Sequence, residues 1–290
     1  MSKLSNFYIE KAKLELNETE TRKVESINLL IEWFNNHPFL KNDNETDELF
    51  LTIFLRGKKF RMDQVYESLE KTIFFYKSNP EYSNMNESQM EELVMNCRKI
   101  FFVPRYRDIE GRSYLIIMLE EFEKNLSMTQ FIKAGTIMVS AVLQEEETQI
   151  AGSVVIIDCR GITIKLAKMV PGSELIRFLF YVKYFPVRIK KIIIVNCPSY
   201  GVAILELARS ILPEKLKKRF VLVKNLSELQ QHMDTSTILT KGNTEYDKEN
   251  LIDYREQIIK SCKKMQDIEI DFSKVREFEC VGSFRNLEID

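Results

Sequence analysis

Histidine is almost missing from this 290-residue chain: there are two, His37 and His232, and neither has a ligand-spaced partner. A zinc site or a Ser-His-Asp triad therefore lacks its parts. The five cysteines (Cys97, Cys159, Cys197, Cys262 and Cys280) form no C-x-x-C pair and no disulfide-like framework. That usage fits a reducing cytosol. Glycine and proline are scarce, at 9 and 7, which speaks against a disordered or fibrous chain. No G-x-G-x-x-G or G-x-x-x-x-G-K-[ST] appears, and the turn in DCRGITIKLAK has only Gly161, so a dinucleotide or P-loop site is not expected. Cys197 lies in NCPSYGVA, where a phosphatase-like cysteine would need an arginine six residues on; that position is Ala203, and a small buried hydrophobe is the simpler reading. Long apolar runs are also missing. No window approaches the ~18 residues of a membrane span, and MSKLSNFYIEKAKLEL has no signal-peptide core, so neither export by that route nor a helical anchor is expected.

The chain is short of net charge as well. Lys plus Arg number 42 against 43 for Asp plus Glu, so no whole-molecule field draws it to nucleic acid. Any anion site must be a local patch. The acidic run Glu145 to Glu147 reads as a solvated or locally paired surface at a helix end, rather than a metal cluster.

What is present is a change of texture along the chain. To about residue 90 the pattern is helical: Val24, Ile27, Leu30, Ile31 and Phe34 recur at helix spacing, and His37-Pro38 closes that segment. DELFLTIFLR continues the pattern, and MDQVYESLEKTIFFYKSNP follows with Asp63 as its expected N-cap. From about 112 come short apolar runs, YLIIML (114–119), SVVIID (153–158), KIIIVN (191–196) and FVLV (220–223), separated by helix-length segments near 128–147, 172–185 and 199–212. Such runs suggest strands buried on both faces and joined by parallel crossovers, an α/β fold. After about 240 the chain reads as a wrapping tail.

Within 202–212, Ile204, Leu207, Ala208, Ile211 and Leu212 share one helix face, and SILPEKLKKRF then places Lys215, Lys217, Lys218 and Arg219 within five positions. FPVRIKK carries Arg188, Lys190 and Lys191, and FLRGKKFR carries Arg56, Lys58, Lys59 and Arg61. On composition alone these clusters are either solvated faces or parts of one anionic site.

Several ordered motifs carry a family resemblance across nearly the whole chain. FLRGKKFRMDQVYESLEKTIFFYKSNPE resembles the N-terminal element of CRAL-TRIO proteins. LQEEETQIAGSVVIIDCRGITI has the family's Glu-x-x-Gln-x-x-Gly before a strand ending in Asp-x-x-Gly, and FPVRIKKIIIVNCPSYGVAILELARSILPEKLKKRFVLV follows its sheet edge, lid helix and basic segment. GSFRNLEID resembles the closing motif of the animal branch that includes the tocopherol and retinaldehyde carriers. The chain departs from the pattern at ILTKGNTEYD, where the usual Tyr-Gly-Gly-like motif is reduced to Gly242, and at VPGS, where the family has Thr-Pro-Ser.

The resemblance implies a helical lobe (1–90), a lipid-binding α/β domain (91–245) and a wrapping tail (246–290). In that fold a mainly parallel sheet is the floor of a hydrophobic cavity under a lid helix. Family members carry one hydrophobic molecule, such as a tocopherol, retinoid or carotenoid, and exchange it at membranes; they are not enzymes and need no metal or cofactor beyond that lipid. The tocopherol carrier's phosphoinositide-binding positions fall here on Lys58, Arg188, Lys190, Lys215 and Arg219. For the lid's inner face the expected residues are Ile204, Ala208, Ile211 and Leu212. Ile132, Val139, Ile157, Phe180, Tyr181 and Ile192 are expected to face them. The implied location is cytoplasmic, with transient peripheral membrane contact. A ligand burying ~500 Å² of apolar area gains roughly 12 kcal/mol before association costs, so release requires a competing apolar phase such as a bilayer. An adaptor that senses lipid without transferring it would share all these features.

Overall fold

A computed structural model describes residues 4–42, 47–80, 85–120, 127–163, 182, 184–211, 214–235, 238–239, 252–266 and 268–270. Helices come first: α1 (Asn6–Leu16), α2 (Glu20–Asn35), α3 (Glu48–Gly57), α4 (Met62–Ser78) and α5 (Glu87–Ile100), with the short strand β1 (Leu40–Asn42) between α2 and α3. The second part holds β2 (Phe101–Phe102), β3 (Ser113–Met118), α6 (Met128–Val142), α7 (Glu146–Ala151), β4 (Ser153–Asp158) and β5 (Ile189–Val195). It continues with α8 (Ser199–Ile211), α9 (Glu214–Lys217), β6 (Phe220–Val223) and α10 (Leu226–Leu229), and then α11 (Arg255–Gln266) and β7 (Ile268–Ile270).

The sheet runs β2-β3-β4-β5-β6. β3, β4, β5 and β6 are parallel, as their unbroken apolar runs imply, while β2 is antiparallel to β3 and too short to be read from sequence. Alternation splits the side chains between two faces. Ile116, Val154, Ile156, Ile193 and Val195 form one cluster with Leu226, Leu229, Ile238 and Leu239. The opposite face carries Val155, Ile192 and Ile194, with Ile117, Ile157 and Phe220 packed against them.

The helical part does not end at an apolar boundary near residue 90. One core joins Leu30, Phe54, Leu69, Leu93, Ile132 and Ile137 with Tyr254 and Ile258 of the tail. β1 pairs antiparallel with β7, Leu40 opposite Ile270, which ties residues before α3 to the tail.

Two local expectations are corrected. Asp63 does not cap α4; the helix starts at Met62 after Arg61, and Asp63 lies in its first turn, where a carboxylate suits the helix dipole. Lys59 and Phe60, both left-handed at φ 56°, set that start by turning the chain sharply after α3. The segment 128–147 is two helices. α6 stops at Val142 because the extended Glu145 begins α7 and Gln149 Nε2 donates to the Leu143 carbonyl at 2.8 Å. Most of the helix expected over 172–185, the GSFRNLEID motif and most of ILTKGNTEYD lie outside the described residues.

Candidate functional site

Two arginines organise the approach to the sheet. Arg56, 3% exposed, donates from Nε and Nη2 to Glu18 (2.8 to 3.1 Å) and from Nη1 to Glu146 Oε2 at 2.9 Å and Gln149 Oε1 at 2.8 Å. It is therefore a structural clamp between the α1–α2 junction, α3 and α7. Burial disfavours its charge, but the Glu18 and Glu146 carboxylates outweigh that and raise its pKa. Glu145 pairs with Arg107 and accepts from Tyr254 Oη at 2.8 Å, so the acidic run works as an internal hub.

Arg188 is the second, at 8% exposed. Its backbone carbonyl accepts from Ser153 N at 2.9 Å, an approach open only because Gly152 lacks a side chain: a Cβ there would lie 2.3 Å from the Arg188 oxygen. The Glu-x-x-Gln-x-x-Gly pattern thus has a physical meaning, since Glu146 and Gln149 hold Arg56 while Gly152 admits Arg188. Arg188 Nη2 donates to Glu15 Oε2 at 2.7 Å, and Lys190 Nζ to the same oxygen at 2.6 Å. The register slips between Ser153, opposite Ile189, and Val154, opposite Lys191, which leaves Lys190 as the unpaired residue of a bulge. Bulges commonly re-aim side chains in this way. Lys191 instead donates to the His232 carbonyl at 2.8 Å. Burial would raise the Glu15 pKa, but hydrogen bonds from Lys190, Lys11 and Arg188 prevail and hold it down to about 2.

The three basic segments meet. Gly57 packs so closely on Pro186 that a Cβ would stand 2.3 Å from the Pro186 oxygen, bringing FLRGKKFR against FPVRIKK. β6 brings the third segment, because Ile192 N donates to the Arg219 carbonyl at 2.9 Å and the Arg219 guanidinium donates to the Ile189 carbonyl. Lys215 sits on α9 within the fields of Arg219, Lys59, Arg61 and Arg188. Partial burial, then those four charges, depress its pKa. Among the described residues no ion pair is recorded for Lys59, Arg61, Lys215 or Arg219, whereas Lys217 is paired with Glu214 at 2.7 Å. Lys59 and Arg61 are therefore members of the cluster that the motif correspondence passed over. Lys58 caps the C-terminus of α3, with its backbone N–H donating to the Phe54 carbonyl at 3.0 Å.

Beside this cluster lies the second sheet face. Ile192 is buried and Ile157 half-buried there, joined by Leu205 of α8, which the sequence reading had not selected. Leu222 on β6 is 53% exposed. Tyr200 Oη donates to the Ile162 carbonyl at 2.6 Å and tethers the start of α8. Ile204, Ala208 and Ile211 belong to α8, but their side chains, with Leu212, Phe180 and Tyr181, fall outside the described residues. Ile132 is 1% exposed in the main core. Val139 lines a cavity of about 50 Å³ walled by Phe54, Thr72, Tyr76, Ser140 and Phe185. That volume is far below the 300 to 1,000 Å³ usual for a small-molecule site. Cys159 and Cys197, in side-chain contact at the ends of β4 and β5, both have raised thiol pKa values, chiefly from burial, which suits apolar filling rather than nucleophilic chemistry. No helix among the described residues is long and apolar enough to cross a membrane.

Fold and site together define an α/β protein in which an apolar sheet face and an amphipathic helix adjoin a converging, under-neutralised cation cluster. The chain contains a CRAL/TRIO domain, which residues 98–241 match. It is 28% identical over 224 residues to the mouse (Mus musculus) alpha-tocopherol transfer protein-like protein, covering 76% of this chain and 64% of that one. It is 27% identical over 236 residues to rat (Rattus norvegicus) Clavesin-2, covering 79% and 71%. The match thus spans less than two thirds of the length of the tocopherol-transfer-protein-like relatives. A solved structure, "Crystal structure of Sfh5", aligns with a TM-score of 0.48 and 10% identity over 92% of this chain and 100% of that one, too distant to bear on the site.

Proposed function

We propose that this chain is a lipid carrier that holds one small hydrophobic ligand over the second sheet face, beneath α8, and exchanges it at membranes bearing phosphoinositides. The observation that carries the reading is the gathering of Lys59, Arg61, Arg188, Lys190, Lys215 and Arg219 at the end of α8 and the edge of that face. A sheet floor alone would suit any buried core. Basic residues near an anionic surface contribute about 1 kcal/mol each, enough together for transient docking. A phosphorylated headgroup adds charge-assisted hydrogen bonds suited to arginine forks. Docking and lid are linked through the chain, since Lys215 lies four residues beyond the last residue of α8. Lys58 joins this set by motif position.

The family resemblance supports a ligand of the tocopherol, retinoid, carotenoid or similar lipid class. Extraction of the purified protein followed by mass spectrometry identifies it. A protein that carries no lipid and takes up no isoprenoid, retinoid, sterol or phospholipid sinks the proposal. Vesicle-to-vesicle transfer then separates a carrier, which speeds transfer, from a sensing adaptor, which binds and does not.

A further inference from the structure

We infer that Glu15 is a built-in occupant of the phosphate site, whose carboxylate holds Arg188 and Lys190 until a phosphomonoester displaces it. This deepens the headgroup reading above and rests on it. Glu15 Oε2 accepts from Arg188 Nη2 at 2.7 Å and Lys190 Nζ at 2.6 Å, and Oε1 from Lys11 Nζ at 3.0 Å. Lys11 comes from Glu15's own helix, whereas Arg188 and Lys190 reach the carboxylate from β5 and its approach, and charge-assisted donors of this kind serve a carboxylate or a phosphate alike.

The rest of the cluster is continuous with these contacts. Arg188 acts electrostatically on Lys215, and Arg219 on Arg188. Glu15 is the one carboxylate recorded against Arg188, Lys190, Lys215, Arg219, Lys59 or Arg61 among the described residues. A single negative charge under-neutralises six cations, and a phosphomonoester brings about −1.5 to −2 charges and three acceptor oxygens. The open half, Lys59, Arg61 and Lys215, receives the incoming group first. Full engagement then requires Arg188 and Lys190 to change partner.

Glu15 is able to leave without α1. Its side chain is 27% exposed, while Ala12 and Leu16 bury the helix and Tyr8 Oη donates to the Gly111 carbonyl at 3.1 Å. Glu18, just beyond α1, stays locked to Arg56. Release is by exchange rather than protonation, because the carboxylate is ionised at any physiological pH.

The test uses the full chain as parent, Glu15→Gln and Glu15→Asp. The Asp variant keeps a counter-charge for buried Arg188 and carries the test where the Gln variant loses its fold. Each is titrated with soluble inositol trisphosphate, and with phosphatidylcholine vesicles with or without phosphatidylinositol bisphosphate. Glu15→Gln is expected to bind about fivefold tighter than the parent, with Glu15→Asp between them. Tightening toward both ligands supports a general phosphomonoester site, and tightening toward vesicles alone supports the inference with the lipid as source. Folded variants binding no tighter than a binding-competent parent overturn it. Absence of phosphate-dependent binding by parent and variants alike removes the headgroup reading itself.

Discussion

Gly57 and Pro186 touch across a gap that no side chain fits, since a Cβ on Gly57 would meet the Pro186 oxygen at 2.3 Å and its Cα at 2.7 Å. The obstruction is backbone and cannot swing aside. Gly57→Ala is therefore expected to destabilise the protein by about 1–3 kcal/mol, the usual cost of overpacking. A thermal melt should record a midpoint several degrees lower, about 2–4 °C per kcal/mol for a chain of this size. Phosphoinositide binding should weaken with it, because the contact brings Lys59 and Arg61 toward Lys215.

Arg188 and Lys215 are both cations of the cluster, but their charge reversals should fail differently. Arg188 is buried against Glu15, so Arg188→Glu sets two carboxylates together in the interior and should cost about 3–5 kcal/mol, read as a lower urea midpoint. Lys215→Glu should fold as the parent does, retain its lipid in solution, and bind phosphoinositide vesicles about tenfold more weakly. Equal vesicle binding by Lys215→Glu and the parent would remove Lys215 from the site.

Acid unfolding should report on Glu15. Its carboxyl is depressed from 4.5 to about 2 because hydrogen bonds from Lys190, Lys11 and Arg188 outweigh burial. A depressed folded-state pKa gives stability that is present above pH 4.5 and lost as pH falls toward 2. Glu15→Gln should accordingly flatten the stability–pH curve in that window relative to the parent. Parallel curves would show that the ion-pair cluster contributes nothing to acid stability.

Arg56→Lys tests the clamp. A lysine cannot reproduce the fork that meets Glu18, Glu146 and Gln149 together. Partner loss at a buried charged network is expected to cost about 3 kcal/mol, measured by denaturant titration, without change in denaturant slope.

Much of the fold was readable because it is local. Four parallel strands were found within one or two residues from their Ile- and Val-rich runs, and α8 from its amphipathic spacing. The acidic run was readable as locally paired but not as a hub, because Arg56, Arg107 and Tyr254 come from distant segments. Lys59 and Arg61 were visible as cations, yet motif correspondence selected Lys58. Electrostatic contact with Lys215 is what picks out Lys59 and Arg61, and it acts through space rather than along the motif.

The sequence by itself determined the α/β class, the strands and the amphipathic helix α8, the shortage of metal-binding and redox side chains, and three separate basic segments. Those properties depend on period, composition and motif, which are written along the chain. Tertiary structure alone decided that the three segments converge, that Arg56 is a clamp rather than a headgroup contact, and that Glu15 sits on Arg188 and Lys190 from 173 and 175 residues away. The reason is that electrostatics and steric contact act through space: the Gly57–Pro186 approach, the bulge at Lys190 and the β5–β6 pairing set which charges become neighbours.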